Sequence, residues 1–237
     1  MSQSLGAQRW PALPAEPTVL LPLGSTEQHG PHLPLDTDTR IAAAVANAMA
    51  ARIQSATRRA VLVAPALAYG ASGEHQAFPG TVSIGNEALR LVLVEAIRSL
   101  STWAGWIILV NGHGGNASTV AKAVEQMRVE QHQVTWVPCS TGTMVDAHAG
   151  HHETSLMLHL DPGHVQMELA VPGRRTGLDV LMPELVRSGV RAASANGILG
   201  DPTHATAEEG ASAFERLVSA AVDRALGEGP IPPRARE

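Results

Sequence analysis

The segment Gly24 to Asp38, which reads GSTEQHGPHLPLDTD, gathers side chains that can bind a cation. Glu27 and His29 lie two positions apart in a stretch with little helix-forming character. In an extended segment, side chains two apart point the same way, so this pair can reach neighbouring points in one cavity while Gln28 points elsewhere. The spacing therefore favours binding of a divalent metal ion.

Two later segments contain the same groups. In NGHGGN, residues 111–116, glycines flank His113 and clear space so that the imidazole alone enters a cavity. In DAHAGHHETS, residues 146–155, the chain supplies His148 and Glu153. Each residue alone also has a structural explanation, because a single histidine is often a core residue and a carboxylate at a helix start is stabilised by the helix dipole.

The three segments together favour a hard or borderline divalent ion, because each of them supplies imidazole ligands and two of them also supply carboxylates. The single cysteine, Cys139, excludes a thiolate site. The five candidate ligands, Glu27, His29, Asp38, His113 and Glu153, exceed what one tetrahedral ion with an open position needs, which predicts two ions about 3.5–4 Å apart sharing a carboxylate. Such a pair implies hydrolysis of a carbon–nitrogen bond or an ester, with His148 as a proton shuttle.

Short apolar runs typical of buried strands come before these segments. The predicted strands are Thr18–Gly24, Val61–Pro65, Trp106–Val110 and Val134–Pro138. The first predicted helix begins after Asp38 or Thr39. The other predicted helices cover Asn86–Leu100, Ala117–Gln131, Glu153–Leu160 and Ala207–Leu226. Asn116 is the predicted N-cap of the helix Ala117–Gln131. This alternation predicts an α/β fold, a three-layer α/β/α sandwich with a mostly parallel central sheet. Ligands of such sheets bind at the carboxyl ends of the strands, where the polar segments fall.

The chain length of 237 residues predicts a single domain over residues 1–237. Residues 1–16 and 228–237 are rich in Pro and Gly and are predicted to be loose tails. The stretch Pro172–Thr206 contains so much Gly, Pro and Ser that it is predicted to be a long surface excursion without regular packing.

Composition excludes several classes of protein. With 44% hydrophobic and 16% charged residues, the chain is neither disordered nor a coiled coil. A net charge of −5 without large Lys/Arg clusters argues against a nucleic-acid partner. The alanine-rich run Ile41–Ala51 is shorter than the roughly 20 apolar residues that a membrane span needs. One cysteine and the lack of a secretory signal pattern predict a cytoplasmic protein.

Four ordered motifs, PLGSTEQHGPHLPLDTDT, GEHQAFPGT, NGHGGN and HAGxxETS, resemble the creatininase family of metal-dependent amidohydrolases. The resemblance implies an α/β/α fold around a mainly parallel sheet. It also implies two divalent ions per subunit, for which zinc, iron(II) and manganese all suit the ligands, and a homo-oligomer such as a hexamer or octamer.

Matched position by position, the resemblance implies that Glu27 and His113 bind one ion. His29 binds the other ion, and Asp38 bridges the two. His148 matches the proton-transfer histidine of the family.

One departure from the family pattern affects the second ion. Creatinine-hydrolysing members carry a glutamate two positions after the motif histidine, where this chain has Gly115. We therefore predict that Glu153 is the missing ligand, and His148 and Glu153 are the predicted catalytic residues. The segment Thr141–Ala147 also lacks the tryptophan lid of creatininase. Both departures argue against creatinine as the substrate.

Within the family, STEQHGPHLPLDTDTRIA, YGASGEHQ and GILGDP are most similar to the branch associated with mycofactocin biosynthesis. This implies a peptidase that acts on a modified, ribosomally synthesised precursor peptide and releases its C-terminal modified Val-Tyr dipeptide. The loop Ala68–Gly85 would line the substrate entrance, with Glu74 and His75 more often structural or interface residues than chemical ones. The alternatives are an amidohydrolase of a small cyclic amide or formamide, and a non-catalytic metal- or anion-binding scaffold.

Overall fold

Four parallel strands form the central sheet in the computed structural model, which describes residues 3–139 and 146–229. They are β1 (Thr18–Leu23), β2 (Val61–Val63), β3 (Trp106–Asn111) and β4 (Val134–Pro138), in the order β2-β1-β3-β4. Leu20 of β1, for example, pairs with Val63 on one side and Ile108 on the other. The predicted parallel sheet is confirmed, with each strand close to its predicted position.

Seven α-helices accompany the sheet in the described ranges. They are α1 (Thr37–Thr57), α2 (Gly85–Leu100), α3 (Ala117–Val129), α4 (His151–Leu160), α5 (Leu178–Ser188), α6 (Val190–Ala193) and α7 (Ala207–Glu228). Five of them lie where the sequence predicts a helix, with ends shifted by a few residues. None of the helices in this part of the chain is long and apolar enough to cross a membrane.

Strand residues alternate between two hydrophobic layers, as the two-residue period of a strand requires. Leu20 and Ile108 pack with helices α1, α4 and α7, whereas Val19 and Ile107 pack with α2 and α3. All four side chains are almost fully buried, and burial of each such side chain contributes roughly 1.5–3 kcal/mol. The predicted α/β/α sandwich is therefore confirmed.

Strands β1 and β3 are neighbours, but the helices that follow them lie on opposite faces of the sheet. Helix α1 packs in one layer and α3 in the other. The chain therefore diverges where the two strands end, next to the paired residues Leu23 and Asn111. A crevice opens at such a switch point in a parallel sheet. The polar segments that follow β1 and β3 both enter it.

The stretch Pro172–Thr206 is more ordered than predicted. It contains helices α5 and α6, and Leu181, Leu185 and Val190 form a separate buried cluster with residues of the neighbouring loops. The prediction of an irregular excursion is wrong because the spacing of Leu181 and Leu185 places both on one helix face, and burial of that face outweighs the hydrogen bond lost at Pro183.

The N-terminal segment touches the edge of the sheet. The Gln3 carbonyl accepts a hydrogen bond from Val63 N–H at 2.8 Å, and short 3₁₀ turns follow at Leu5–Ala7 and Trp10–Ala12. The first described residues are thus attached rather than loose. At the other end α7 extends to Glu228, and residues 230–237 lie outside the described residues.

Candidate metal centre

Five acidic and imidazole side chains converge in the crevice between β1 and β3. The loop after β1 contributes Glu27 and His29, the first turn of α1 contributes Asp38, the loop after β3 contributes His113, and the turn before α4 contributes His148. All five are buried, and Glu27 and His29 are 0% exposed. No Lys or Arg side chain within the described ranges forms an ion pair with either of the two carboxylates. The carboxylates therefore lack a protein cation other than histidine.

Asp38 lies between two histidines. Its Oδ1 is 3.2 Å from His29 Nε2, and its Oδ2 is 3.1 Å from His113 Nδ1. Ser25 Oγ donates a hydrogen bond to Oδ2 at 2.7 Å. Helix α1 begins at Thr37, slightly earlier than predicted, so Asp38 lies in its first turn, where the helix dipole favours a carboxylate. Its two oxygens can thus serve two neighbouring positions.

Glu27 has a carboxylate that the protein alone does not satisfy. Neither carboxylate oxygen has a hydrogen bond of good geometry among the described residues, although His113 Nδ1 lies 3.2 Å and His75 Nε2 lies 3.5 Å from Oε1. A buried charge without donors is costly unless it pairs or coordinates a metal. Glu27 therefore fits a site for a cation.

Three sets of side chains, called donor groups below, could each hold a metal ion. Within each donor group, every residue offers one ligand atom, and these atoms lie within 4.8 Å of one another. The first is Glu27, Asp38 and His113; the second is His29, Asp38 and Glu153; the third is Glu27, His29 and His148. The first two share Asp38, as two ions with a bridging carboxylate require. The residues present thus fit a pair of divalent ions, and the structure brings together every residue that the sequence nominates for the site.

Mutual electrostatics favour the protonated forms of His29 and His113. Burial by itself lowers the pKa of His29, but the Asp38 carboxylate raises it to about 10. Burial likewise opposes protonation of His113, yet Glu27 and Asp38 raise its pKa well above the usual value. In return, although burial opposes ionisation, His29 and His113 hold the pKa of Asp38 well below its usual range. Protons on His29 and His113 thus balance the buried carboxylates.

His148 adopts a defined tautomer. Its Nε2 lies 2.8 Å from the main-chain oxygen of Gln28 and 2.9 Å from the Gln28 side-chain nitrogen. A carbonyl only accepts, and the two amide hydrogens of Gln28 have other acceptors in His75 Nδ1 and the Gly197 carbonyl, so the proton is assigned to His148 Nε2. Nδ1 is then the free acceptor, 3.8 Å from Glu27 Oε1. Burial lowers the pKa of His148, and the charge of His29 lowers it further. A neutral imidazole with an open nitrogen in the cavity can take up a proton.

Glu153 joins the site from helix α4. Its Oε2 accepts a hydrogen bond from Ala149 N–H. With His29 and Asp38, Glu153 forms the second of the three donor groups for a metal ion. Both the ligand role and the helix-start role proposed from the sequence are compatible with this position, because Glu153 lies in the first turn of α4.

Known proteins provide the comparison for this geometry. A family model described as creatininase, creatinine amidohydrolase, matches residues 7–225. The chain belongs to the creatininase family. The mycofactocin precursor peptide peptidase of Mycolicibacterium smegmatis is 55% identical over 208 residues, which are 88% of this chain and 84% of that protein. The protein of the same name from Mycobacterium tuberculosis strain CDC 1551 is 51% identical over 225 residues, 93% and 89% of the two chains.

A solved creatininase variant described as of Zn-Zn type has a TM-score of 0.76 at 26% sequence identity and covers 98% of this chain and 100% of its own. The predicted relation to the creatininase family is therefore confirmed. The predicted class, a metal-dependent hydrolase that acts on carbon–nitrogen bonds, is confirmed with it. Of the segment compared with the creatininase lid, residues 141–145 lie outside the described residues.

Glu74 and His75, in the loop that follows β2, also lie at the candidate metal centre. The sequence favoured a structural or interface role for both residues. Glu74 Oε1 lies 3.3 Å from His113 Nε2, and His75 Nε2 lies 3.5 Å from Glu27 Oε1. The signal that could have identified them is their sequence, GEHQ, which has the same carboxylate–imidazole composition as the other site segments.

Gln28 also belongs to the site, so the prediction that it points elsewhere is wrong. Its amide nitrogen lies 2.9 Å from His75 Nδ1 and from His148 Nε2 and donates to the Gly197 carbonyl at 3.0 Å. Its amide oxygen accepts from Gly30 N–H, where the chain turns with φ +67°. The backbone is thus not a flat strand at this point, and the simple alternation of side chains does not apply.

Asn116 lies at the N-cap position of α3 as predicted, but its side chain makes no hydrogen bond to the helix. Its side-chain oxygen accepts from Ala71 N–H at 2.8 Å, and its side-chain nitrogen donates to the Gly24 carbonyl at 3.0 Å. It therefore links the loops that follow β1, β2 and β3, which hold Glu27, Glu74 and His113. A residue chosen for local capping instead fixes the loops relative to one another.

Metal binding is expected to weaken as the pH falls. His29, with a pKa of about 10, and His113, with a raised pKa, hold protons at neutral pH, and an ion must displace them. Affinity should therefore rise with pH by about tenfold per pH unit for each displaced proton. Zinc titration calorimetry at pH 6, 7 and 8, in buffers of different ionisation enthalpy, measures this release. Binding without proton release would contradict the assignment.

The start of α4 depends on Asp146. Its two carboxylate oxygens accept hydrogen bonds from the N–H groups of His151 at 2.9 Å and His152 at 2.7 Å. A Cβ at Gly150 would lie 1.7 Å from Asp146 Oδ1, so glycine leaves the carboxylate its space. Asp146 thereby orients the first turn of α4, including Glu153.

Asp146→Ala is expected to lower the free energy of unfolding by about 1 kcal/mol, because the helix loses its side-chain acceptors. Urea denaturation followed by circular dichroism measures the loss. Asp179→Ala is the matched control, since Asp179 is exposed in the first turn of α5. Equal effects of the two substitutions would show that Asp146 has no special role in α4.

Proposed function

We propose that this chain is a metal-dependent peptidase that hydrolyses an amide bond of a mycofactocin precursor peptide. The observation that carries the proposal is that two donor groups, buried except for the half-buried Glu153, share Asp38 and lie beside the free Nδ1 of His148. The names of the two mycobacterial relatives, at 51% and 55% identity over most of the chain, support this substrate.

Two divalent ions per subunit are part of the proposal. Glu27, Asp38 and His113 would hold one ion, and His29, Asp38 and Glu153 would hold the other. When bound, such ions lower the pKa of a water molecule from about 15.7 to about 7 and polarise a carbonyl oxygen. Zinc, iron(II) and manganese all suit these donors, and the solved creatininases described as Zn-Zn type and as Mn support zinc and manganese.

His148 moves the proton in the proposed reaction. The Gln28 carbonyl binds the Nε2 proton, so Nδ1 faces the cavity as the base. It accepts a proton from the attacking water and donates it to the amine that leaves. Its lowered pKa keeps the ring neutral before the reaction, as a base requires.

The proposed product is the C-terminal modified Val-Tyr dipeptide. The loop Ala68–Gly85 is proposed to line the substrate entrance, because Glu74 and His75 in this loop contact residues of the site. Incubation of the zinc- or iron-loaded protein with the enzymatically modified precursor, followed by mass spectrometry, tests the identity of the product. We expect release of the dipeptide, its suppression by a chelator and its return with metal. A fully metal-loaded protein that leaves the peptide intact would overturn the proposal.

A small cyclic amide or formamide is the second candidate substrate, supported by the amidohydrolase description of the matched family. A panel of such amides, compared with the modified peptide by kcat/KM, distinguishes the two. An anion-binding scaffold is disfavoured, because the loop at residues 111–116 faces the carboxylates of Glu27, Asp38 and Glu74. These would repel an anion.

A homo-oligomer, a hexamer or octamer, is also proposed, as are a single domain over residues 1–237 and a cytoplasmic location. The exposed apolar side chains of Met182 and Val186, four positions apart on α5, support assembly, because a helix face of this kind is stabilised by a partner. Light scattering after size-exclusion chromatography measures the mass, and a monomer would contradict this part.

A further inference from the structure

The two ring nitrogens of His113 face different carboxylates. Nδ1 lies 3.2 Å from Glu27 Oε1 and 3.1 Å from Asp38 Oδ2, on the side of the first donor group. Nε2 lies 3.3 Å from Glu74 Oε1 on the opposite side. This is an ion-pair distance rather than a hydrogen bond of good geometry, and no other described residue satisfies the buried Nε2. One imidazole thus connects Glu74 to the proposed metal ligands.

Gly115 leaves the space that Glu74 occupies. A Cβ at position 115 would lie 2.4 Å from His113 Nε2, 2.6 Å from Glu74 Oε1 and 2.8 Å from the Ala71 carbonyl. Any side chain there would displace the carboxylate or the imidazole. By contrast, a Cβ at the adjacent Gly114 would meet no atom within 4 Å. Of these two glycines, only Gly115 must therefore lack a side chain.

Glu74 is held in place from its main chain. The turn at Gly189, with φ +72°, lies against the loop, and a Cβ there would be 2.9 Å from the Glu74 carbonyl. The Glu74 side chain is 32% exposed, and no Lys or Arg of the described residues forms an ion pair with it. Although burial opposes ionisation, His113 lowers the pKa of Glu74. Its carboxylate is thus directed at His113 rather than at a surface cation.

We propose that Glu74 is a positioning residue for His113: it binds the Nε2 proton and so leaves Nδ1 free to bind the ion held by Glu27 and Asp38. A carboxylate behind a metal-binding histidine fixes its tautomer and ring orientation and raises its basicity. The inference rests on the proposed metal site. It adds that the loop after β2, through Glu74, sets the affinity of the ion bound by His113.

The affinity for zinc tests this role. Glu74→Gln, which keeps the size of the side chain but removes its charge, is expected to weaken the His113-side ion by about tenfold, and Glu74→Ala by up to about 100-fold. Competition with a chromophoric chelator measures both values without an activity assay. Glu125→Gln, on the exposed face of α3, is the control for the same change in charge and should bind zinc like the wild type.

Position 115 gives an independent test. Gly115→Ala should reproduce the loss, because the added methyl group displaces Glu74 or His113, whereas Gly114→Ala should not. In the zinc-loaded wild type, ¹⁵N spectra of labelled histidine should show the His113 ring protonated at Nε2, in addition to His148, and the His113 signal should shift in Glu74→Gln. A purely structural role for Glu74 would leave this signal in place.

Zinc affinities of Glu74→Gln and Glu74→Ala within twofold of the wild type would overturn the inference. If Glu74→Ala does not fold, as its thermal melt would show, the isosteric Gln variant decides alone. A wild-type protein that binds no zinc would instead defeat the proposed function, so the two failures are distinct.

Discussion

Replacing Asp38 with Ala is expected to remove both metal ions and hydrolysis together. Asp38 is the one side chain that the two proposed donor groups share, with Oδ1 facing His29 and Oδ2 facing His113. Without it each group keeps two protein ligands. We expect the affinity for both ions to fall by more than about 100-fold, beyond the loss typical of an outer-shell partner. Elemental analysis of the purified variant, with hydrolysis of the modified peptide, measures the effect.

Asp36→Ala is the matched control for this experiment. Asp36 is an acidic residue two positions earlier, but its carboxylate accepts a hydrogen bond from Arg40 at 2.7 Å at the surface. This variant should retain both ions and full turnover. The fold of Asp38→Ala should also persist, because the hydrophobic layers on both sides of the sheet do not include Asp38. An Asp38→Ala protein with two bound ions would refute the shared-ligand arrangement.

The layers of the fold were predictable because the signals that define them are local. Strands such as Trp106–Asn111 are apolar on both faces, and only a sheet covered by helices on both sides buries them fully. The helices between them carry apolar residues at helical spacing. Once strands and helices alternate, the parallel sheet follows, and with it the prediction that the loops holding Glu27 and His113 meet at one edge.

The region of α5 and α6 was misjudged because composition was given more weight than spacing. Gly177, Pro183 and Gly189 suggest irregular chain, yet Gly177 and Gly189 flank α5 and only Pro183 lies within it. The buried apolar residues of α5, three to four positions apart, carry the helical signal. This region also packs against the site, since Gly189 lies against the loop that carries Glu74.

The contacts around the metal ligands could not be predicted from the sequence, because they depend on tertiary packing. Gln28 reaches His148 and His75 only because the chain turns at Gly30. Glu74 reaches His113 only because residue 115 has no side chain. Sequence spacing identifies the groups able to bind an ion. The folded loops decide which atoms of those groups face it.

His148→Ala is expected to lower kcat by about 10²- to 10⁴-fold while both ions remain bound. Loss of a general acid–base group has this magnitude, and the two proposed ion sites are complete without His148. His148 also belongs to a third donor group with Glu27 and His29, which makes the metal content decisive. Turnover of the modified peptide and metal content, measured on one preparation, separate proton transfer from metal binding.

His151→Ala provides the control for His148→Ala within the same histidine-rich segment. His151 Nε2 lies 3.1 Å from Glu209 Oε2, on the side of α4 that faces α7, and belongs to none of the three donor groups. This variant should retain both turnover and metal. Loss of an ion in His148→Ala would show that His148 is a metal ligand. The proton of the attacking water would then need another acceptor. In the described structure the imidazole nearest to His148 is that of His75, and the centroids of the two rings are 4.3 Å apart.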